Sequence, residues 1–157
     1  MDDPCLNVRL PDFPDEYQPT RLVLDSQLKT KGIEKIFNVS GESFVYTLMD
    51  NKHNGPREDV LVVNANNGHV SLEDITTDLA NKEFNEVLIE AGPNLNGAFL
   101  NQGLIDEIIV YLAPSILGNS SRGMFELPML DELSESFRFY MESIEQIGTD
   151  LRIVLRK

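Results

Sequence analysis

The stretch with the clearest chemical potential is EVLIEAGPNLNGAFLNQG, residues 86–103. An apolar run ends near Glu90. Gly92 and Pro93 then turn the chain, and a helical pattern follows. The first turn of a helix exposes backbone N–H groups and a partial positive charge, which together bind phosphate. The stretch therefore predicts a site for a phosphorylated ligand at the turn that precedes the helix.

Its glycines and its carboxylate each allow two interpretations. Gly92 would let the backbone approach a ligand, and Gly97 would leave the helix surface bare. Alternatively, both serve turn geometry and helix packing, because their spacing is not the dinucleotide pattern GxGxxG. Glu90 ends an apolar run, where a buried carboxylate is costly unless it is paired or used. Glu90 therefore either has a functional role or is a surface carboxylate, solvated at the end of the strand or paired with a nearby arginine.

A second candidate stretch is DDPCLNVR, in which residues 2–4 form a turn and Arg9 follows a short extended segment. The guanidinium of Arg9 suits a phosphate or carboxylate, although an arginine beside acidic residues also forms surface ion pairs. Ser26, which follows the run RLVLD, would donate to a phosphate or cap a turn. His53 and His69 lie in polar stretches without ligand-spaced partners, so we assign them no catalytic role.

These residues must be positioned by an α/β fold. Ser71 has an acidic residue three positions later, which indicates a helix start, and Gly103 suits a helix end. An alternating pair of strands around Gly148 predicts a C-terminal hairpin, and 115–136 reads as irregular. Strands are predicted at 21–26, 42–48, 59–65, 86–92 and 107–114, helices at 71–82 and 94–103, and a polar connection at 51–59. We expect a single domain over 1–157.

Charge and composition exclude several classes of partner. The net charge is -13 with a pI near 4.4, and the basic residues are scattered, so nucleic acid and anionic membranes are not expected partners. No apolar run is long enough to span a membrane, and the first residues lack a secretory pattern. The single cysteine, Cys5, forms neither an internal disulfide nor a zinc site by itself. We expect a cytoplasmic protein without a metal.

Three blocks occur in a familiar order: DDPCLNVRLP, PTRLVLDSQLK and VLIEAGPNLNGAFLNQGLIDEIIVYLAPSILG. They resemble the reductase domain of the RibD-type bifunctional deaminase and 5-amino-6-(5-phosphoribosylamino)uracil reductase. The resemblance implies a dihydrofolate-reductase-like layered mixed sheet with flanking helices and an antiparallel C-terminal hairpin. It also implies NADPH-dependent reduction of a ribosylamino group to a ribitylamino group in riboflavin biosynthesis. The substrate would be a phosphorylated pyrimidine, and the protein a homodimer or higher homo-oligomer.

The resemblance also assigns residues. Asp2 and Ser26 would lie on the NADPH side, and Leu6 and Arg9 would face the substrate, with Arg9 near its phosphate. Glu90 would contact the ribose. The loop and helix start that cradle NADPH would be Gly92, Pro93, Asn94, Leu95, Asn96, Gly97 and Ala98. No proton donor is assigned.

The chain departs from the family pattern at its start, since it opens with the DDP block. We expect the deaminase domain, the first strand of the reductase, its Lys-x-Ala-x-Ser-like segment and the helix after it to be absent. The chain would then hold half a site and be inactive alone. Two other functions stay open: a dihydrofolate-reductase-like reductase of another pterin or pyrimidine, and a non-catalytic oligomerisation module.

Overall fold

A computed structural model describes residues 3–48 and 59–157. The chain forms two compact units, Met1–Glu86 and Val87–Lys157. Asp2 and nearly all of the predicted polar connection, including His53, lie outside the described residues. No helix of the described residues is long and apolar enough to cross a membrane.

The first unit contains a three-stranded parallel sheet. Strands β1 (Arg21–Leu24), β2 (Ser43–Thr47) and β3 (Val60–Val62) lie side by side in that order. Three residues of β2, namely Val45, Tyr46 and Thr47, are fully buried. Branched and aromatic side chains pack well on a pleated surface, which favours a central strand here. The three strands predicted for this region are confirmed, although the third is shorter than expected.

A small hairpin follows that the sequence prediction missed. Strands β4 (Ala65–Asn66) and β5 (His69–Val70) pair antiparallel. Between them, Asn67 and Gly68 have φ values of 50° and 79°. Positive φ at both central residues is what a tight two-residue hairpin turn requires, and Asn-Gly is its strongest sequence signal. The signal was therefore present in the sequence.

Helix α1 (Leu72–Asn81) confirms the predicted helix and its start. The Ser71 side chain accepts a hydrogen bond from the backbone N–H of Asp74, at 3.2 Å. This bond satisfies one of the N–H groups that the first turn leaves unpaired. The buried face of the helix consists of Leu72, Ile75 and Leu79.

The side chain of Arg21 is the polar centre of this unit. It is 3% exposed, and its guanidinium donates to four backbone carbonyls of residues 36–41. The acceptors are Ile36 at 3.0 Å, Ser40 at 2.6 Å, Val39 at 3.0 Å and Gly41 at 2.8 Å. Burial lowers the pKa of Arg21. Since five donors in a rigid fork can hold several carbonyls at once, Arg21 fixes the path of residues 36–41.

The second unit combines a helix with an antiparallel sheet. Helix α2 (Pro93–Asn101) is followed by the C-cap Gln102 and by Gly103, which has a φ of 71° and closes the helix end as predicted. The N–H of Leu104 returns to the carbonyl of Phe99 at 3.0 Å, which closes the helix end. Strands β6 (Glu107–Leu112), β7 (Tyr140–Ile147) and β8 (Asp150–Arg156) form a sheet in the order β6-β8-β7. The strand predicted at 107–114 and the C-terminal hairpin are confirmed. Short 3-10 turns occur at Asp15–Tyr17, Lys35–Phe37 and Leu133–Glu135.

The prediction of a strand at 86–92 is wrong. These residues form neither helix nor strand, and Val87 and Leu88 are 48% and 75% exposed. An apolar run becomes a strand only when a neighbouring strand satisfies its backbone groups. No strand of the described residues pairs with this run.

Candidate functional site

The predicted substrate residues of the first unit lie on a stretch without helix or strand, residues 3–10. Leu6 has a φ of 47°, in the left-handed region that a leucine rarely adopts. Arg9 is exposed and makes no ion pair with a carboxylate of the described residues. Its guanidinium is therefore free to meet an anionic ligand, which favours the functional interpretation over a surface ion pair.

Two side-chain contacts hold this stretch to the rest of the unit. The Asp3 carboxylate accepts from the backbone N–H of Lys35 at 3.0 Å. Farther along, the Gln18 carboxamide accepts from the Val8 N–H at 2.8 Å and donates to the Val8 carbonyl at 3.1 Å. A strand neighbour would satisfy Val8 in the same way, so the Gln18 side chain replaces a strand here.

Ser26, predicted on the cofactor side, follows β1. Its Oγ accepts from the backbone N–H of Val70 at 3.1 Å, which ties β5 to the end of β1. The contact gives Ser26 a structural role that the sequence did not reveal. A serine hydroxyl has two lone pairs and one proton, so Ser26 can still donate to a ligand.

Glu90 does not stand at the end of a buried strand, as the sequence suggested. Its side chain is exposed, and the run before it is largely exposed as well. Burial therefore gives no reason for a carboxylate at this position. Glu90 is nevertheless two residues before Gly92, the N-cap of α2, and its side chain is accessible to a ligand that binds there.

The N-terminus of α2 has the features of an anion site. Gly92 is its N-cap residue, no side chain caps the helix, and Pro93 occupies the first turn. The unpaired N–H groups of the first turn are therefore left to solvent or a ligand. No other part of the described structure lies within 4 Å of a methyl group built on Gly92, and its φ of −78° suits any residue. The need for glycine at this position thus does not come from the fold of the described residues.

At position 97, a glycine is needed for a different reason. A Cβ at this position would overlap the carbonyl oxygen of Glu126. The N–H of Glu126 donates to the Pro93 carbonyl at 2.9 Å, and the Asn96 amide donates to the carbonyls of Ala91 and Met124 at 3.1 and 3.2 Å. Residues 124–126 thus cross the first turns of α2 in direct contact. The packing interpretation of Gly97 is the one that the structure supports.

A shallow, wide-open cavity of about 270 Å³ lies beside this crossing. It brings together predicted cofactor residues and others that sequence reasoning missed. Its lining consists of Asn94, Gly97, Ala98, Asn101, Glu126 and Pro128. The amides and the carboxylate offer both donors and acceptors to a bound group. Glu126 and Pro128 carry no recognisable motif, because only the folding of an irregular segment brings them to the helix.

The chain is an α/β protein, and its structural neighbours show that it has the dihydrofolate-reductase-like fold. A deaminase/5-amino-6-(5-phosphoribosylamino)uracil reductase from Thermotoga maritima, 20% identical, shares this fold over 99% of the chain and 41% of its own, with a TM-score of 0.76. Residues 1–153 match the family described as RibD C-terminal domain, and the chain belongs to that family.

Its relatives include long riboflavin biosynthesis proteins and a shorter reductase. Riboflavin biosynthesis protein RibD of Escherichia coli K12 is 34% identical over 96% of this chain and 44% of its own length. A protein of Buchnera aphidicola subsp. Acyrthosiphon pisum, named 5-amino-6-(5-phosphoribosylamino)uracil reductase, is 30% identical over 98% of this chain and 80% of its own. The structure of Acinetobacter baumannii RibD, 31% identical, matches 99% of this chain and 43% of its own with a TM-score of 0.80. The chain thus spans less than half of the RibD proteins it matches.

Proposed function

We propose that this chain belongs to a cytoplasmic reductase of 5-amino-6-(5-phosphoribosylamino)uracil, which converts the ribosylamino group to a ribitylamino group in riboflavin biosynthesis. One observation carries the proposal. A relative that bears this reductase name aligns with 98% of the chain and is itself covered over 80% of its length. Because the name of that relative gives a reductase activity alone, the proposal concerns reduction alone.

The proposed cofactor is NADPH, and the start of α2 fits it. The uncapped first turn after Gly92 suits a pyrophosphate, since its N–H groups and helix dipole favour negative charge. The cavity beside Asn94 and Asn101 suits an uncharged sugar or amide better than a phosphate, because Glu126 adds negative charge there. Ser26 would add a hydroxyl donor. When bound, NADPH supplies the hydride, while the protein contributes position and charge.

Three residues are proposed to bind the substrate. Arg9, exposed and without an internal ion pair, would bind the phosphate through a charged hydrogen bond. Glu90, also exposed, would bind the ribose hydroxyls, for which a carboxylate is a good acceptor. Leu6 would contact the substrate with an apolar side chain.

A homodimer or higher homo-oligomer is part of the proposal. One face of the C-terminal sheet is apolar across all three strands, because Ile108, Leu155 and Met141 form one cross-strand row, and Val110, Ile153 and Ile144 form the next. Met141 and Ile144 are 58% and 55% exposed. The other four side chains are only partly exposed. Apolar surface that remains accessible in this way favours an interaction site. Sedimentation of the full-length protein would measure the oligomeric state.

The experiment that tests the function is a steady-state assay with the full-length protein, the phosphoribosylaminouracil substrate and NADPH, followed at the absorbance of the reduced cofactor. We expect turnover with the phosphorylated substrate and negligible turnover by the 157-residue chain alone. NADH and a dihydropterin are the control cofactor and control substrate. Faster reduction of the dihydropterin would contradict the proposed substrate in favour of a pterin. Absence of turnover with every substrate would contradict the proposal that the protein is an enzyme.

A further inference from the structure

One side chain, that of Gln18, fixes the backbone between Leu6 and Arg9. No strand of the described residues pairs with residues 3–10, yet both backbone groups of Val8 are satisfied by the Gln18 carboxamide, at 2.8 and 3.1 Å. Val8 precedes Arg9 directly and follows Leu6 by two residues. A contact that sets the backbone of Val8 therefore also sets the direction in which its neighbours project.

Gln18 is itself held in place by the fold. A methyl group built on Gly41 would lie 3.0 Å from Gln18 Cβ and 3.4 Å from the Gln18 carbonyl oxygen, so the two residues are in close contact. Gly41 has a φ of 95°, and its carbonyl accepts from the buried Arg21 at 2.8 Å. A rigid chain of contacts thus runs from β1 through the loop 36–41 to Gln18 and Val8.

The conformation of Leu6 indicates why the contacts of Gln18 matter. Its φ of 47° is unfavourable for a leucine and persists only where the surroundings impose it. The bonds of Gln18 to Val8 restrain the chain on one side of Leu6, and the bond of Asp3 to Lys35 restrains it on the other. Such over-determined backbone is characteristic of sites that are organised before the ligand binds.

We propose that Gln18 is a positioning residue of the reductase: its carboxamide orders the backbone around Val8, so that Leu6 and Arg9 are preorganised for the phosphorylated substrate. This inference rests on the proposed function. It assigns to Gln18 no contact with the substrate, and it predicts that loss of the carboxamide weakens substrate binding rather than NADPH binding.

Two variants of the full-length protein separate the role of the hydrogen bonds from that of the side-chain volume. Gln18→Met keeps the length of the side chain and removes both bonds. Gln18→Glu keeps the acceptor but, when ionised, cannot donate to the Val8 carbonyl; when protonated it has the donor and acceptor of the native carboxamide. Gln102→Glu makes the same chemical change at an exposed residue that caps the end of α2 with its backbone only.

The expected result is a KM for the phosphoribosylaminouracil substrate that rises about threefold to tenfold in both Gln18 variants at neutral pH, as the loss of neutral hydrogen bonds implies. The dissociation constant of NADPH, from fluorescence titration, should stay within about twofold. Relative to the wild type at each pH, the KM of Gln18→Glu should recover as the pH is lowered toward the carboxyl pKa, ordinarily about 4.3. The KM of Gln18→Met should not recover, and Gln102→Glu should behave as the wild type.

Several outcomes would overturn the inference. An unchanged KM in both Gln18 variants of an active enzyme would remove the positioning role alone. Equal losses in substrate and NADPH binding would show general destabilisation, as would a defect in Gln18→Glu that does not respond to pH. Absence of turnover in the wild type would refute the proposed function, and the positioning role with it.

Discussion

The phenol of Tyr46 on β2 donates a 2.7 Å hydrogen bond to the Asp78 carboxylate on α1. Asp78 also accepts from Lys82 one helical turn later, at 2.6 Å. Tyr46 is fully buried, whereas the side chain of Asp78 is 33% exposed. Burial, together with the neighbouring carboxylate, raises the pKa of Tyr46 above its ordinary value. This relationship joins the central strand of the parallel sheet to the helix in the first unit.

Tyr46→Phe should lower the free energy of unfolding by about 0.5–1.5 kcal/mol, the net contribution of one such hydrogen bond. The cost stays in this range because the ring still fills its site and Asp78 remains accessible to water. Chemical denaturation of both proteins measures the difference. The phenol of Tyr17, which is 69% exposed, provides the control, since Tyr17→Phe should change little. A loss no greater than that of the control would show that the bond adds no stability.

The pH dependence of stability should carry the signature of Asp78. Its pKa is lowered by the hydrogen bond from Lys82 and then by that from Tyr46. A carboxyl with a lower pKa in the folded state stabilises the fold above its ordinary pKa, and this stabilisation is lost as the pH falls through the folded-state value.

Asp78→Asn should therefore be less stable than the wild type at neutral pH, by less than about 1 kcal/mol because the group is partly exposed. The difference should disappear at low pH, where the wild-type carboxyl is protonated as well. Denaturation curves of both proteins across acidic pH measure it, with Asp106→Asn as an exposed control. A difference that is constant with pH would mean that the charge of Asp78 is irrelevant.

Gly92→Ala and Gly97→Ala should fail in different ways. A methyl group on Gly92 meets nothing within 4 Å, so the thermal midpoint of the protein should be nearly unchanged, while NADPH affinity in the full-length protein falls. A methyl group on Gly97 would overlap the Glu126 carbonyl, so residues 124–126 must move and the protein should be destabilised by about 1–3 kcal/mol. Thermal denaturation and fluorescence titration of NADPH distinguish them. Unchanged NADPH affinity in Gly92→Ala would argue against a ligand at this turn.

Arg9→Ala in the full-length enzyme should weaken substrate binding by about 1.5–3 kcal/mol, the value of a charged hydrogen bond to phosphate. Stability should hold, because Arg9 is exposed and makes no internal ion pair among the described residues. Arg138→Ala removes the same charge from another exposed arginine and should not affect the KM. If the KM for the phosphorylated substrate stays at the wild-type value in Arg9→Ala, Arg9 does not bind the phosphate.

Glu90→Gln removes a charge and keeps the volume. We expect a lower kcat/KM for the ribosylamino substrate and nearly unchanged NADPH affinity, because the carboxylate is assigned to the ribose. Glu86→Gln, also exposed and four residues earlier, is the matched control. Should Glu90→Gln cost as much NADPH affinity as Gly92→Ala, the division between substrate and cofactor residues would be wrong.

What the sequence determined was local. The bond from Ser71 to the Asp74 N–H, the positive φ of Gly103 and the hairpin around Gly148 each depend on residues that are within a few positions of one another. Short-range hydrogen bonds and backbone sterics decide such features, and the residue types reveal them. The resemblance of three sequence blocks likewise pointed to the family that residues 1–153 match.

The tertiary structure decided everything that needed distant partners. Residues 86–92 have the composition of a buried strand, but a strand exists only where another strand takes its hydrogen bonds. Gly97 could be assigned to packing only once the Glu126 carbonyl was found against it, 29 positions away along the numbering. The same holds for Gln18, whose carboxamide meets Val8 because Gly41 and Arg21 hold the loop behind it. The residue types alone do not specify these contacts, because the contacts form only when the whole unit packs.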